Sequence, residues 1–201
     1  MVTIIMDFET SGLNGYHDDI IEIGAKIYNT DIMFETLVQP KSNRALSKKI
    51  TDITGISNKM LREQGKKYLN ACSEFYNWII QNTKDKESIS LVSHNGDTFD
   101  FVFFKRILID LKESGTDTSQ LPKLHYNDTL PLCKRLYPGR TYYNQPSLAR
   151  TFQIVLINAH RAMSDVLVLE QIYTYILKDL SKHFDPMNNP TMIRDYIELK
   201  I

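Results

Sequence analysis

The hydrophobic positions of this chain fall into short apolar runs and longer stretches of helical period. Residues 2–8 (VTIIMDF) are apolar and rich in β-branched side chains, and Gly12 and Asn14 follow them, which predicts a buried strand and a turn. Two further runs are separated by only two polar residues, so they are predicted to pair as a hairpin. The complete set of predicted strands covers residues 2–8, 20–28, 31–38, 88–93 and 123–127.

Apolar residues spaced three and four apart predict the helices. The clearest repeat lies in residues 67–81 and consists of Leu69, Cys72, Phe75, Tyr76 and Ile79. Further helices are predicted over 99–112 and 162–180, a short one capped by Ser147, and a last one that begins at Asn189-Pro190. Strands and helices in this order predict an α/β fold, with one mixed five-stranded sheet flanked by helices.

Composition narrows the class of protein. The 201 residues are 42% hydrophobic and 24% charged, which excludes a disordered or low-complexity chain. Twenty-four basic residues balance 24 acidic ones, so a polyanionic partner must be met by local charge or by metal ions. Two isolated cysteines, no membrane-length apolar run and no leader before Asp7 predict an intracellular protein, cytoplasmic or nuclear, with no membrane partner. We expect one main domain over 1–180 and a C-terminal tail over 181–201 that contains a short helix.

Carboxylates occur at three separate places where the predicted elements face the interior. Asp7 and Glu9 lie two residues apart at the end of the first strand, so both side chains point to the same face. Asp100 and Asp165 each begin the apolar stripe of a predicted helix, and His160 lies five residues before Asp165. Each feature alone has a simpler explanation: acids at a strand end cap a turn, an acid in the first turn of a helix is favoured by the helix dipole, and a lone histidine lies on the surface.

Taken together, four carboxylates without a thiol suit a hard cation such as Mg²⁺ or Mn²⁺. Two such ions about 3.5–4 Å apart are the usual arrangement for in-line displacement at phosphorus, where one activates the attacking water and the other stabilises the leaving 3′ oxygen. A histidine changes protonation near neutral pH and can accept the proton of that water. The hypothesis is therefore a two-ion hydrolytic site, and a structural acid cluster without metal is the alternative.

Three sequence motifs resemble those of a known family. DFET at 7–10, HNGDTFD at 94–100 and HRAMSD at 160–165 are similar, in the same order, to the three exonuclease motifs of the DEDDh (DnaQ-like) 3′→5′ exonucleases. The resemblance covers about residues 1–180 and implies a ribonuclease H-like fold. It also implies hydrolysis of DNA or RNA from the 3′ end to nucleoside 5′-monophosphates. The HNGD form is nearest to the three-prime repair exonuclease group, although the chain lacks the proline-rich stretch and long C-terminal extension of its mammalian members.

The resemblance implies a role for each carboxylate. Asp7 would bridge both ions, and Glu9 and Asp165 would complete the first ion site. Asp100 would hold the second ion through water. His160 would be the general base. These five residues are the catalytic set that the family motifs predict.

The resemblance also implies contacts with the substrate. Thr10 would contact the 3′-terminal nucleotide through its backbone, and Leu13 would wedge against the last base. Phe99 matches an aromatic residue on which a base stacks, and Ile53 lies in a segment that forms the other lip of the nucleotide pocket. For Leu13, Ile53 and Phe99 the alternative is ordinary core packing. Asn95 is grouped with the substrate contacts, although organising the turn, together with Asp97, is the favoured explanation for it.

The implied partner is a nucleic acid with a single-stranded or frayed 3′ end. A catalytically silent nucleic-acid-binding module on the same fold is the alternative function, and the presence of all five motif residues argues against it. Two basic clusters, residues 41–49 and 134–140, are interpreted as solvated faces, the second in a loop before Ser147. The sequence leaves open the choice of DNA or RNA, the biological pathway, the role of residues 181–201, and the oligomeric state, including a homodimer.

Overall fold

The computed structural model describes residues 1–156, 160–187 and 190–198 and contains one five-stranded sheet of order β3-β2-β1-β4-β5. The central strand β1 pairs antiparallel with β2 and parallel with β4, and β4 pairs parallel with β5. This arrangement confirms the mixed sheet that the order of the elements predicts. The strands are β1 (Val2–Thr10), β2 (Ile20–Ile27), β3 (Met33–Leu37), β4 (Ser88–Ser93) and β5 (Lys123–Asp128).

Helices cover both faces of the sheet. They are α1 (Lys48–Thr54), α2 (Asn58–Gln64), α3 (Tyr68–Thr83), α4 (Asp100–Glu113), α5 (Thr129–Leu136), α6 (Gln145–Thr151), α7 (Ala162–Leu180) and α8 (Pro190–Glu198). Helices α3 and α4 pack against one face of β1, where Met6 and Phe8 join the largest apolar core. Helix α7 packs against the other face, where Ile5 lies in a smaller core with Val166 and Leu169.

The alternation along β1 decides which helix meets which side chain. Successive residues of a strand point to opposite faces. Because Ile5 faces α7, the residues at two-residue spacing from it, Asp7 and Glu9, also point to the α7 side. The β2–β3 hairpin is confirmed, and its turn contains Asn29 in the left-handed region at φ 58°.

Two expectations for the segment before α7 are wrong. Helix α6 begins after Asn144, whose side-chain oxygen accepts the N–H of Ser147 at 3.0 Å, so Asn144 is the cap and Ser147 lies in the first turn. Pro146 causes the offset, because proline has no N–H and suits the first turn of a helix. The predicted loop before Ser147 instead contains α5, which carries Lys134 and Arg135.

Helix α3 confirms the predicted period except at one position. Tyr68, Cys72 and Phe75 are buried, but Leu69 is 41% exposed. Leu69 follows Tyr68 by one residue and is therefore rotated by about 100° around the helix axis, away from the sheet.

The tail carries helix α8, which packs on the main body. Ile193 is buried in a cluster with Leu132 and Ile172, and Arg194 forms an ion pair with Asp97 at 3.1 Å. The proposed cap residue Asn189 lies outside the described residues. The division of the chain at residue 180 stays a prediction. Within the described ranges, none of the helices has the length and apolar character needed to cross a membrane.

Candidate active site

Three carboxylates from two elements meet at the end of the central strand. Asp7 and Glu9 come from β1, and Asp165 comes from the first turn of α7. One oxygen from each of the three lies within 4.8 Å of the other two. The cluster is partly open to solvent, because all three side chains are of intermediate exposure. This geometry leaves room for a cation between the acids, with oxygen ligands on more than one side.

Asp100 reaches the same strand from the opposite face of the sheet. It is the first residue of α4 and only 2% exposed. One of its oxygens accepts the backbone N–H of Phe8 at 3.0 Å, and the other accepts the hydroxyl of Ser93. Asp100 is therefore held beside Asp7 by the chain itself, and it is not one of the three carboxylates that share the 4.8 Å cluster.

His160 lies on the loop directly before α7. Its backbone N–H donates to the Oδ2 atom of Asp165 at 3.1 Å, and its side chain is exposed. The backbone adopts φ 66° there, a left-handed conformation that a residue with a side chain seldom takes. The tight turn thus places the imidazole next to the carboxylate cluster while leaving the ring accessible.

The cluster carries more negative charge than the protein neutralises. Burial, followed by the charges of Asp100 and Glu9, raises the pKa of Asp7 well above its usual range. Burial and the charge of Asp165 raise the pKa of Glu9 to about 8. Burial also raises the pKa of Asp165, against the lowering effect of His160. These carboxylates would ionise together only if a cation compensated them, which is the behaviour of a hard-metal site.

Asp100 behaves differently because it is hydrogen-bonded. Burial raises its pKa to about 7, and the hydrogen bonds from Ser93 and from the N–H of Phe8 oppose the rise. These donors favour the ionised form. A nearby metal ion would further stabilise the ionised form of Asp100, which these hydrogen bonds already favour.

The predicted substrate-contact residues divide into exposed and packed ones. Leu13 is 86% exposed and Ile53 43% exposed, so the core-packing alternative is wrong for both. Phe99 is half-buried and packs edge-on against Phe103, with ring centroids 5.0 Å apart. The hydroxyl of Thr10 donates to the carbonyl of Gly12 at 2.6 Å, within the turn that follows β1.

Asn95 organises the turn between β4 and α4. It adopts φ 65°, and its N–H donates to the carboxylate of Asp128 at 2.8 Å. The other oxygen of Asp128 accepts the N–H of Asp97 at 3.1 Å. The turn-organising alternative is therefore confirmed for the backbone of Asn95, while its role toward substrate stays a prediction.

Three residues near the cluster were missed by the sequence reasoning. Glu22 is fully buried in β2, opposite Glu9 in the strand register, and forms an ion pair with Arg161. Asp128 caps α5 and holds the turn before α4. The sequence signal for Glu22 was its position as a charged residue inside the apolar run 20–28. No local pattern indicated that Arg161 would pair with it.

The fold is that of an α/β domain, and its carboxylate cluster offers the oxygen ligands that hard cations prefer. The family model described as Exonuclease (RNase_T) matches residues 4–173, which is most of the chain. The chain belongs to this family, that of the DnaQ-like 3′→5′ exonucleases, and is an exonuclease domain. Members of the family depend on divalent metal ions, which agrees with the acidic cluster.

Relatives of known sequence are much longer than this chain. It is 30% identical over 197 residues to the DNA polymerase III PolC-type protein of Clostridium perfringens, covering 96% of this chain and 12% of that protein. It is 32% identical over 182 residues to the protein of the same name from Thermotoga maritima, covering 89% of this chain and 12% of the relative. The chain thus spans about an eighth of the length of these relatives.

Solved structures share the fold at low sequence identity. Escherichia coli exonuclease I in complex with a dT13 oligonucleotide superimposes with a TM-score of 0.73 at 17% identity, covering 92% of this chain and 42% of that one. Cell-death related nuclease 4 gives a TM-score of 0.64 at 21% identity, covering 88% of this chain and 64% of that one. The ribonuclease H-like fold implied by the motifs is confirmed. The three-prime repair subgroup stays a prediction.

Proposed function

We propose that this domain hydrolyses the last phosphodiester bond at the 3′ end of a nucleic acid strand and releases nucleoside 5′-monophosphates, with two divalent ions bound. The supporting observation is the group of three carboxylates within 4.8 Å of one another, drawn from β1 and α7. Burial raises the pKa of all three, and repulsion from the other acids adds to the rise for Asp7 and Glu9. Such repulsion is costly in a metal-free protein and is relieved by a cation. Either Mg²⁺ or Mn²⁺ suits oxygen ligands of this kind.

The chain's own carboxylates hold the ions in this proposal. Asp7 would serve both ion sites, and Glu9 and Asp165 would complete the first. Asp100, whose oxygens already accept hydrogen bonds from Phe8 and Ser93, would serve the second through water. When bound, the ions supply an activated water and charge stabilisation at phosphorus.

His160 is the proposed general base. Its exposed imidazole accepts the proton of the attacking water at a ring nitrogen and passes it to solvent. The hydrogen bond from its backbone to Asp165 keeps the loop beside the carboxylates. A base on this loop therefore moves together with one of the proposed metal ligands.

The proposed substrate is a single DNA strand or a frayed 3′ end. The relatives are named DNA polymerase III, and the exonuclease I structures contain dT13 and dA16. The large apolar side chain of Leu13 is exposed to solvent shortly after the end of β1. This position suits a wedge against the last base. Thr10, Ile53, Asn95 and Phe99 are the other proposed contacts.

The test is digestion of matched 5′-labelled DNA and RNA oligonucleotides, single- and double-stranded, with Mg²⁺ or Mn²⁺. We expect a ladder that shortens from the 3′ end, faster for single-stranded DNA, and none in EDTA. An oligonucleotide with a blocked 3′ end should resist. No ladder with either ion would refute the proposal, and products that shorten from the 5′ end would refute the direction.

Matched variants distinguish cleavage by this site from cleavage by a contaminating nuclease. Asp165→Asn removes one proposed ligand and should abolish cleavage while the strand still binds. Asp31→Asn changes an exposed acid of the β2–β3 turn and should cleave like the unmodified protein. If Asp165→Asn retains the ladder, the activity does not come from this cluster.

A further inference from the structure

Glu22 is a fully buried carboxylate beside the active-site cluster that the proposed chemistry does not use. Both of its oxygens are occupied. Oε1 accepts hydrogen bonds from Nε and Nη2 of Arg161 at 3.0 and 2.5 Å. Oε2 accepts hydrogen bonds from Nε of Arg161 at 3.2 Å and from the backbone N–H of Ala162 at 2.8 Å. Glu22 is thus satisfied by the chain and is not available as a further metal ligand.

Strand β2 contacts the start of α7 at a second position on the same face. Gly24 lies two residues beyond Glu22, and a Cβ atom there would come within 2.7 Å of the carbonyl carbon of Ala162 and 2.8 Å of the backbone nitrogen of Met163. Such distances are too short for real contacts, so only glycine permits this approach. Glu22 and Gly24 together hold the first turn of α7 against the sheet.

The segment held in this way carries the proposed base and a proposed ligand. Arg161 directly follows His160, and its carbonyl accepts the N–H of Asp165 at 2.9 Å. The N–H of His160 in turn donates to the side chain of Asp165 at 3.1 Å. A shift of Arg161 would therefore move both groups relative to Asp7 and Glu9 on β1.

We infer that Glu22 and Arg161 are positioning residues for the exonuclease reaction: their ion pair sets the distance between the His160–Asp165 loop and the carboxylates of β1. The inference rests on the proposed function of His160 and Asp165. The positive φ of His160 supports it, since a strained turn persists only where the surroundings hold it. Partners of this kind around a metal site typically change activity by about 10- to 100-fold when removed.

The test is steady-state cleavage by Glu22→Gln at saturating Mn²⁺, with rates expressed per folded molecule. Glutamine keeps the size of the side chain and can still accept the N–H of Ala162, but it cannot form the charged fork with Arg161. We expect kcat to fall about 10- to 100-fold with KM within about threefold. Glu35→Gln is the matched control: Glu35 also contacts Arg161, at 3.6 Å, but is 47% exposed, and kcat should stay within about twofold.

Two further variants keep the test decisive if Glu22→Gln folds poorly. Arg161 is 34% exposed, so Arg161→Lys should fold, and it keeps the charge but loses the planar fork; kcat should fall about 3- to 10-fold. Arg161→Gln removes the charge as well as the fork, and its kcat should fall at least as far as that of Arg161→Lys.

Amide hydrogen exchange gives a result that does not depend on activity. The N–H of Asp165, which donates to the carbonyl of Arg161, should exchange at least about tenfold faster in Glu22→Gln and Arg161→Lys, while amides of β4 keep their rates. Unchanged kcat and unchanged exchange in these variants would overturn the inference and leave the exonuclease proposal standing. A loss of folded protein with normal kcat per folded molecule would also overturn it, because the pair would then be structural only. An inactive parent protein with the expected exchange would refute the proposed function and retain the positioning role.

Discussion

Removing the charge of Asp7 should stabilise the metal-free protein although it abolishes cleavage. Within the described part of the chain, the Asp7 side chain accepts no hydrogen bond, and it lies within 4.8 Å of the carboxylates of Glu9 and Asp165. Asp7→Asn keeps the size of the side chain and creates no cavity. The substitution therefore removes repulsion and little else.

The magnitude follows from the separation of the charges. At 4.8 Å, the upper bound on the separation of the carboxylate oxygens, two unit charges repel by about 3.5 kcal/mol at an effective dielectric constant of about 20, and by about 0.9 kcal/mol in bulk water. The cluster is partly exposed, so the true value lies between these limits. Because burial and the neighbouring acids raise the pKa of Asp7, the native state meets this cost either as repulsion between ionised acids or as uptake of a proton, and asparagine removes both. We expect a gain of about 1–3 kcal/mol, or a Tm rise of at least about 2 °C.

Thermal unfolding in EDTA and in Mn²⁺ measures the effect. In EDTA, Asp7→Asn should melt above the unmodified protein. In Mn²⁺ the unmodified protein should gain stability that grows with the logarithm of its affinity for the ion, and the variant should gain little. Asp31→Asn, at an exposed turn, should stay within about 0.5 kcal/mol of the parent in both solutions. A lower Tm for Asp7→Asn in EDTA would refute the reasoning, because the acid would then be part of the structural framework.

The remaining predictions concern the base, the pH response and the turn before α4. His160→Gln should lower the cleavage rate about 10²- to 10⁴-fold, while a gel-shift assay shows that strand binding is retained. The control His183→Gln, at an exposed histidine, should cleave at the rate of the unmodified protein. If His160→Gln also cleaves at that rate, His160 is not the base. The raised pKa of Glu9, about 8, means that the metal-free native state binds more protons than the unfolded chain, so urea-unfolding stability should fall as pH rises from about 5 to 8; a rise would contradict this sign. Asp128→Ala removes the acceptor for the N–H of Asn95 and should cost about 1–3 kcal/mol in urea unfolding; no loss would show that the turn holds without it.

Local periodicity predicted most of the fold and the direction in which the carboxylates of the three motifs point. The alternation of β1 predicted that Asp7 and Glu9 share a face, and the helical period predicted that Asp100 begins a buried stripe; both hold in the structure. These predictions work because the direction of a side chain within one element is set by the backbone of that element. Local signals were weaker where short helices end, as the displacement of the α6 cap from Ser147 to Asn144 shows.

The sequence by itself determined which side chains point the same way within each strand and helix, and its three motifs determined the family. Only the tertiary structure decided how near the elements come to one another. The ion pair between Glu22 and Arg161 joins residues that are 139 positions apart in the sequence. The hydrogen bond from the N–H of Asn95 to Asp128 joins residues that are 33 positions apart. No local pattern encodes such distances, because they result from how helix and sheet faces pack. The close approach of β2 to α7 at Gly24 is the same kind of result.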